Sequence, residues 1–235
     1  MTNDLVQIDP SLAEHGVNIH VYFIILNDFD NTIKDYDYEE PVITPETQRI
    51  NKQYTIENVK EDPIIAAYRS FYWTHLKIDP TKIRPSGEAL VRRILQGKTL
   101  PKMSYFVDAY NWASCSSLIP IGSYDLDTFH SPITIRFGKI GEKFNAIGGK
   151  ERVMNGNEIL TAGEDRILSQ FPYRDADATK ITTSTKNLII LSMGVEEVPK
   201  TSIKNGITLT LNYLKKGTTK IPNFRENRIG YVSNF

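Results

Sequence analysis

Apolar positions at the start of the chain outline one strand and one loop. From Val17 to Leu26 nearly every residue is apolar or β-branched. Such a continuous run predicts a strand that is covered on both faces and therefore lies centrally in its sheet. The next segment, Asp28–Glu40, collects acidic residues and turn formers and is followed by Pro41 and Pro45. We expect a solvated loop there.

Helical spacing dominates the middle of the chain. Asp62 followed by Pro63 is a typical helix start, and apolar residues spaced by three and four predict a helix over 63–76. A second helix is predicted after Ser86, with a stop at Gly97, and a third over 104–117. The second exposes a basic face with Arg92, Arg93 and Lys98.

The period then changes to two, which predicts strands over 133–137, 159–161, 167–169 and 188–192. Residues 200–216 return to helical spacing despite Gly206. The tail from Gly217, with Lys220, Arg225 and Arg228, is polar and is expected to be loosely packed. Because helices and strands are mixed rather than strictly alternating, the fold class is α+β with a mixed, mostly antiparallel sheet arrangement.

Composition narrows the classes of function. The 235 residues are 40% hydrophobic, enough for a full core, and the formal charge is zero, so any RNA contact must be local. The single cysteine, Cys115, excludes internal disulfides and thiolate metal clusters. The N-terminus resembles no signal peptide and no apolar run could span a bilayer, so a cytoplasmic protein without membrane contact is expected. The four histidines are isolated, so neither a metal nor a cofactor is expected.

Two segments are unusually polar. The first is 106–126, where Asp108, Asn111, Tyr124 and Asp125 flank an apolar helix and a proline-containing loop. The second is 173–187, which contains an arginine followed by two acidic residues, several threonine and serine hydroxyls and two lysines. The ordinary interpretations are a capped helix end and a hydrated loop. The same groups also suit the orientation of a water, the stabilisation of an ester oxyanion, or contact with ribose and phosphate.

Three runs in these regions resemble a known family. They are RPSGEALVRRILQGKTLPKMSYFVDAYNWASCSSLIPIGSYDLD from Arg84, GEKFNAIGG from Gly141 and RDADATKITTSTKN from Arg174. In order and spacing they resemble the B3/B4 domain of the phenylalanyl-tRNA synthetase beta chain, and more closely the stand-alone proteins built from that domain. The resemblance spans about residues 80–194.

The resemblance implies a fold and an activity. The family domain is a compact α+β unit whose helices and sheets surround a central pocket, and in the synthetase it hydrolyses tyrosine wrongly esterified to the phenylalanine tRNA. For this chain it implies a single domain over 1–235. Residues 1–79 would be an extension that adds a strand and a helix, 80–194 the family core, and 195–235 a C-terminal helix and tail.

Site residues are carried over position by position. Asn111 falls on the asparagine of the family's Val-Asp-x-x-Asn segment, and Tyr110 replaces a threonine. Tyr124 is the aromatic of a Phe-Asp-Leu run, and Gly122 stands where the family has a pocket histidine. The acid that recognises the non-cognate hydroxyl falls near Asp177 or Ala178. Because glycine cannot move a proton, catalysis would need a substrate hydroxyl or an acid such as Asp125 or Asp175.

Two hypotheses follow from these residues. In the first, the chain is a trans-acting hydrolase of aminoacyl-tRNA esters. Asn111 would hold the amino-acid or carbonyl end, and Arg174 and Lys180 the ribose and phosphate. Asp175 or Asp177 would hold the α-ammonium or the attacking water, and backbone N–H groups near Gly122 the oxyanion. The catalytic candidates are Asp125, Asp175 and Asp177, and the substrate-binding candidates are Arg84, Tyr110, Asn111, Gly122, Tyr124, Arg174, Thr179 and Lys180.

In the second hypothesis, the chain binds an amino-acid-like ligand or tRNA without chemistry. Both hypotheses predict that the helix with Asn111 and the loop with Arg174 face each other across an amino-acid-sized hollow.

Overall fold

A computed structural model describes residues 5–149, 151–218 and 224–235. Lys220, counted above in the polar tail, lies outside these ranges. The helices are α1 (Pro10–Glu14), α2 (Thr44–Gln53), α3 (Pro63–Thr74), α4 (Ser86–Leu95), α5 (Tyr105–Ser117) and α6 (Lys200–Lys216). The strands are β1 (Val6–Ile8), β2 (Ile19–Asn27), β3 (Ile121–Asp125), β4 (Ile133–Phe137), β5 (Lys143–Asn145), β6 (Glu151–Val153), β7 (Ile159–Ala162), β8 (Ile167–Gln170), β9 (Arg174–Asp175), β10 (Leu188–Val195) and β11 (Arg225–Ser233).

Within the described residues, a four-stranded antiparallel sheet forms the middle layer, in the order β11-β2-β10-β3. The prediction that β2 is a central strand is correct, because β2 lies between β11 and β10. Alternate residues of β2 serve different cores: Val21 and Phe23 face one apolar cluster, and Ile24 and Leu26 face another. The continuous apolar run is explained by this burial on both faces.

A five-stranded sheet, in the order β1-β4-β7-β8-β9, packs against the first of these clusters. β1 pairs with β4 in parallel, and the other neighbours are antiparallel. Helices α4, α5 and α6 pack against the second cluster on the opposite face of the four-stranded sheet. The predicted α+β class with mixed, mostly antiparallel sheets is therefore confirmed.

The N-terminal segment contributes more than the predicted strand and helix. Up to residue 79 it supplies β1 at an edge of the five-stranded sheet and β2 inside the four-stranded sheet, together with α1, α2 and α3. The acidic loop is also less solvated than expected, because Phe29 and Tyr38 are buried. A π-helical turn at Glu39–Ile43 leads into α2, and the hydrophobic pattern predicted neither.

The expectation of a loosely packed tail is wrong. Strand β11 pairs with β2 from Arg225 to Ser233 and forms one edge of the four-stranded sheet. Gly230 lies against the Phe23 ring, and a Cβ atom at this position would come within 2.2 Å of Phe23 Cζ. The glycine is required by this close approach. In the described ranges no helix combines the length and apolar character needed to cross a bilayer.

We predict that Gly230→Ala lowers the free energy of unfolding by about 1–3 kcal/mol, because the added methyl group displaces a buried aromatic ring. Urea denaturation measures the change. The matched control is Ile229→Ala in the same strand, whose side chain is 55% exposed and should cost less. Equal losses for the two variants would contradict the packing described here.

Candidate functional site

A row of polar side chains crosses the edge of the five-stranded sheet. Thr161 of β7 is the register partner of Ser169 of β8, and Ser169 is the partner of Asp175 of β9. Directly opposed residues in neighbouring strands project on the same face, so the three side chains form one polar ladder. Thr161 and Ser169 are buried, and the Thr161 hydroxyl has no hydrogen-bond partner within the described structure. Asp175, at the sheet edge, retains partial access to solvent.

Tyr124 of β3 reaches this ladder from the four-stranded sheet. Its hydroxyl oxygen lies 2.8 Å from Ser169 Oγ and 3.3 Å from Asp175 Oδ1. A phenol has one proton, and an ionised carboxylate can only accept, so with Asp175 ionised the tyrosine donates to Asp175 and accepts from Ser169. The ladder and Tyr124 thus form a hydrogen-bonded cluster where the edges of the two sheets meet.

Gly122 makes room for this arrangement. A Cβ atom on Gly122 would lie 2.9 Å from the Tyr124 hydroxyl oxygen and 2.8 Å from Met193 Cε. The phenol therefore occupies space next to the backbone into which a larger residue at position 122 would have to project. Gly122 and the position of the Tyr124 hydroxyl depend on each other.

Burial changes the acidity of this cluster. It raises the pKa of Asp175 from the usual 3.8 to about 7, against the opposing effect of the hydrogen bond from Tyr124. Burial, followed by the charge of Asp175, raises the pKa of Tyr124 well above 10. The same two causes raise the pKa of Tyr110 on α5 above its usual value. Two neutral phenols therefore accompany a carboxyl that can gain or lose a proton near neutral pH.

The other two predicted catalytic acids, Asp125 and Asp177, form contacts that stabilise the local structure. Asp125 accepts hydrogen bonds from the Thr185 hydroxyl at 2.6 Å and from the Asp127 backbone N–H at 3.1 Å, which caps a short turn. Asp177 is exposed and forms an ion pair with Lys180 at 2.7 Å. Neither carboxylate joins the polar ladder.

The remaining predicted residues are spread over the surroundings of β9 and α4. Arg174 of the edge strand β9 lies opposite Gln170 of β8 in the backbone register. Thr179 is buried and its hydroxyl has no hydrogen-bond partner in the described structure. Arg84 lies 4.0 Å from Glu88, on the basic side of α4.

Asn111 lines a separate cavity of about 580 Å³. Its walls come from the segments 36–51, 94–102 and 108–112, whereas Arg174 and Asp175 are not among the described lining residues. Asp108 stands in the wall and accepts a hydrogen bond from the Tyr36 hydroxyl at 2.8 Å. Asn111 therefore lines this second space, whereas its neighbour Tyr110 is close enough to Asp175 for the charge of that carboxylate to raise the pKa of the phenol.

Ser169 and Thr161 were not among the predicted site residues. Each is a hydroxyl within a short buried strand, ILTA and ILSQ, and that is the signal the sequence carries. The signal identifies a site only when the strand register is known, since the register brings both hydroxyls into line with Asp175. Within the described ranges, His, Cys, Asp and Glu side chains form no group of three or more that could hold a metal ion.

Comparison with known proteins assigns the family. The model of the B3/4 domain matches residues 67–217, well over half of the chain. The chain belongs to the B3/4 domain family. This match begins within α3 and ends just after α6, so the B3/4 domain here includes the polar ladder, Tyr124 and the cavity wall formed by α5.

Curated relatives of this B3/4 protein are beta subunits of phenylalanine–tRNA ligase. The subunit from Fusobacterium nucleatum subsp. nucleatum is 27% identical over 132 residues, which are 55% of this chain and 16% of the relative. The subunit from Anaeromyxobacter dehalogenans is 26% identical over 139 residues, 58% of this chain and 17% of the relative. The chain thus spans only a small part of the length of the relatives it matches.

A solved structure is also similar to this B3/4 protein. It is an N-terminal fragment of the phenylalanyl-tRNA synthetase beta-subunit from Pyrococcus horikoshii, at 14% identity and a TM-score of 0.46. The alignment covers 92% of this chain and 50% of that one.

We predict that Asp175→Asn removes a pH-dependent loss of stability. Because the folded protein raises the pKa of Asp175 from 3.8 to about 7, the group's contribution to stability is full at acidic pH and is lost as pH rises through about 7. Denaturation midpoints of the wild type should therefore fall between about pH 4 and about pH 7 more steeply than those of Asp175→Asn, and the difference in slope should vanish at higher pH.

The control for this experiment is Asp177→Asn, which removes an exposed carboxylate two residues away. It should retain the pH dependence of the wild type. Identical pH profiles for the wild type and Asp175→Asn would contradict the raised pKa.

Proposed function

We propose that this B3/4 protein hydrolyses the ester bond of aminoacyl-tRNA, with Asp175 as the general base. The observation that supports this proposal is the polar ladder, in which a carboxyl with a pKa of about 7 lies 3.3 Å from a phenol. A base whose pKa is close to neutral combines a useful ionised fraction with sufficient basicity. The family relation supplies the substrate class, and phenylalanine–tRNA ligase beta subunits are the relatives that suggest it.

The proposed reaction has two steps. The Asp175 carboxylate takes a proton from a water molecule, whose oxygen attacks the ester carbonyl and forms a tetrahedral oxyanion. A neutral phenol donates a hydrogen bond to this oxyanion: burial keeps Tyr110 and Tyr124 protonated, and Tyr124 becomes free to donate once Asp175 has taken the proton of the water. Collapse breaks the bond to the ribose oxygen, which receives the proton from Asp175.

The proposed scheme works without the pocket histidine that the related family has at the position of Gly122. Gly122 has no side chain that could orient water, and the Tyr124 hydroxyl lies beside it in the space that a larger side chain would need. In the proposal, the acid–base role passes to Asp175 and the polar contact to Tyr124. The pocket that selects the amino acid then differs from the histidine-containing pocket of the family. The preferred amino acid therefore need not be tyrosine.

We predict that the wild type accelerates deacylation of at least one pairing in a panel of mischarged tRNAs. The rate should rise with pH and level off above about pH 7, because the base must be ionised. Asp175→Asn should reduce the rate by about 10²–10⁴-fold. Tyr124→Phe removes a hydrogen bond that lowers the Asp175 pKa, so its pH profile should move to higher pH.

Asp177→Asn is the matched control and should keep the wild-type rate, since that carboxylate pairs with Lys180 outside the ladder. If every combination of amino acid and tRNA is deacylated only at its spontaneous rate, the proposed hydrolase activity is excluded. Equal losses for Asp175→Asn and Asp177→Asn would remove Asp175 as the base.

A non-catalytic function is the second candidate, and the cavity that contains Asn111 favours it. Its volume of about 580 Å³ is large enough for an amino-acid-sized ligand, and Tyr36, Asp108 and Asn111 supply polar groups. Calorimetric titration with amino acids and uncharged tRNA tests it. Binding that Asn111→Ala weakens, together with no turnover on any ester, would select this candidate over the hydrolase.

A further inference from the structure

The solvent-facing side of α4 forms a strongly basic recess. The recess has a volume of about 360 Å³. Five cationic side chains line it: Lys82, Arg84, Arg92, Arg93 and Lys98. Since the whole chain has a formal charge of zero, this is a local concentration of positive charge.

Nearby acids compensate this charge only in part. Glu88 is fully buried and accepts hydrogen bonds from Arg92 at 2.7 Å and from Arg69 at 3.0 Å, while Arg84 lies 4.0 Å away. Asp79 and Glu57 interact at longer range with Lys82 and Arg92. In the described part of the chain, Lys82, Arg93 and Lys98 have no carboxylate within 4 Å. A single buried acid thus anchors a cluster that otherwise faces solvent.

Two guanidinium groups of the recess are held in place. Arg92 is fixed by its ion pair with Glu88, and Arg93 Nε donates to the Thr99 carbonyl at 2.7 Å. Such oriented guanidinium groups bind the oxygens of a phosphate through their remaining N–H donors. Positioning before binding lowers the entropy lost when the anion arrives.

Lys98 connects the recess to the larger cavity, because it lines both. Tyr36 and Asn111 lie on the cavity side, where the Asn111 amide suits the edge of an unstacked nucleobase and Lys102 Nζ, 4.5 Å from the centre of the Tyr36 ring, adds a further positive charge. A sugar–phosphate strand has the matching alternation of phosphate and base. An anionic membrane would instead favour exposed apolar anchors beside the basic residues.

We propose that the basic recess binds phosphate groups of an RNA strand, with Arg92, Arg93 and Lys98 as the principal contacts. The choice of RNA rests on the proposed relation to aminoacyl-tRNA, but the site does not require that the ester is hydrolysed. The recess lies on α4, apart from the polar ladder, so it acts in binding and positioning and takes no part in the chemical step.

The test is fluorescence anisotropy with an uncharged, labelled tRNA transcript and the full chain, over a range of salt concentrations. The double variant Lys82→Glu, Lys98→Glu should weaken binding at least about tenfold and make the dependence of log K on log salt shallower by about 1–2. These lysine side chains form no hydrogen bond within the described structure, so folding is preserved. Arg93→Glu is the second variant, with its melting temperature measured in parallel.

The control is Lys139→Glu, Lys204→Glu, which reverses the same charge on exposed lysines that do not line the recess. It should lose much less affinity. Equal losses in the two double variants, or equal affinity of the wild type and the recess variant, would overturn the proposal. Equal binding of polyglutamate or phosphatidylserine vesicles through the recess would also overturn it.

A second assay tests the proposed hydrolase activity independently of RNA binding. An aminoacyl-adenosine ester contains the scissile bond without the body of the tRNA. The recess variant should cleave it at the wild-type rate if the polar ladder is catalytic. Loss of RNA binding with retained cleavage supports the recess, whereas absent cleavage in the wild type with recess-dependent RNA binding removes only the hydrolase.

Discussion

The double-sided burial of β2 and β10 is the constraint on which the rest of the structure depends. Residues 189 and 191 of β10 face the five-stranded sheet, and residues 188 and 190 face the helices. Each such side chain contributes about 1.5–3 kcal/mol by leaving water. A shift of one residue would exchange both sets, so the register with β3 is strongly specified. That register pairs Tyr124 of the edge strand β3 with Ile189, so the Tyr124 side chain projects on the same face as Ile189, towards the polar ladder.

The polar ladder is a local exception to this apolar packing. Burial makes ionisation of Asp175 less favourable, and the buried Thr161 hydroxyl lacks a hydrogen-bond partner in the described structure. Both features cost stability. Such exceptions concentrate at functional sites, where a carboxyl with a pKa near 7 is useful for proton transfer. The same logic distinguishes Asp175 from Asp125, whose hydrogen bonds are those of an ordinary turn cap.

Local patterns predicted the elements that have strong local signals. The period of α6 predicted Lys200–Lys216 as observed, and the Asp62–Pro63 start of α3 is correct because a side-chain cap and a proline act within one turn. Strand β11 was missed because RENRIGYVS is largely polar, and its order comes from pairing with β2, about 200 residues earlier in the chain. Long-range pairing of this kind leaves little trace in a local window.

The candidate site was predictable in part for the same reason. Asp175, Tyr124 and Tyr110 could be singled out from the polar segments and the family resemblance; the structure brings Tyr124 within 3.3 Å of Asp175, and the charge of Asp175 acts on Tyr110. Their hydroxyl partners Ser169 and Thr161 follow only from strand register, and the direction of Asn111 follows from its position one residue, or about a quarter turn, after Tyr110. Asn111 thereby lies against the second cavity, although it is adjacent in sequence to a residue of the site.

The most direct test is a crystal structure with a non-hydrolysable aminoacyl-adenosine analogue in which an amide replaces the ester. The account predicts that the carbonyl oxygen lies within hydrogen-bond distance of Tyr110 or Tyr124, with a water between the carbonyl carbon and Asp175. An analogue whose carbonyl group lies in the cavity lined by Tyr36 and Asn111, with the polar ladder unchanged, would contradict it.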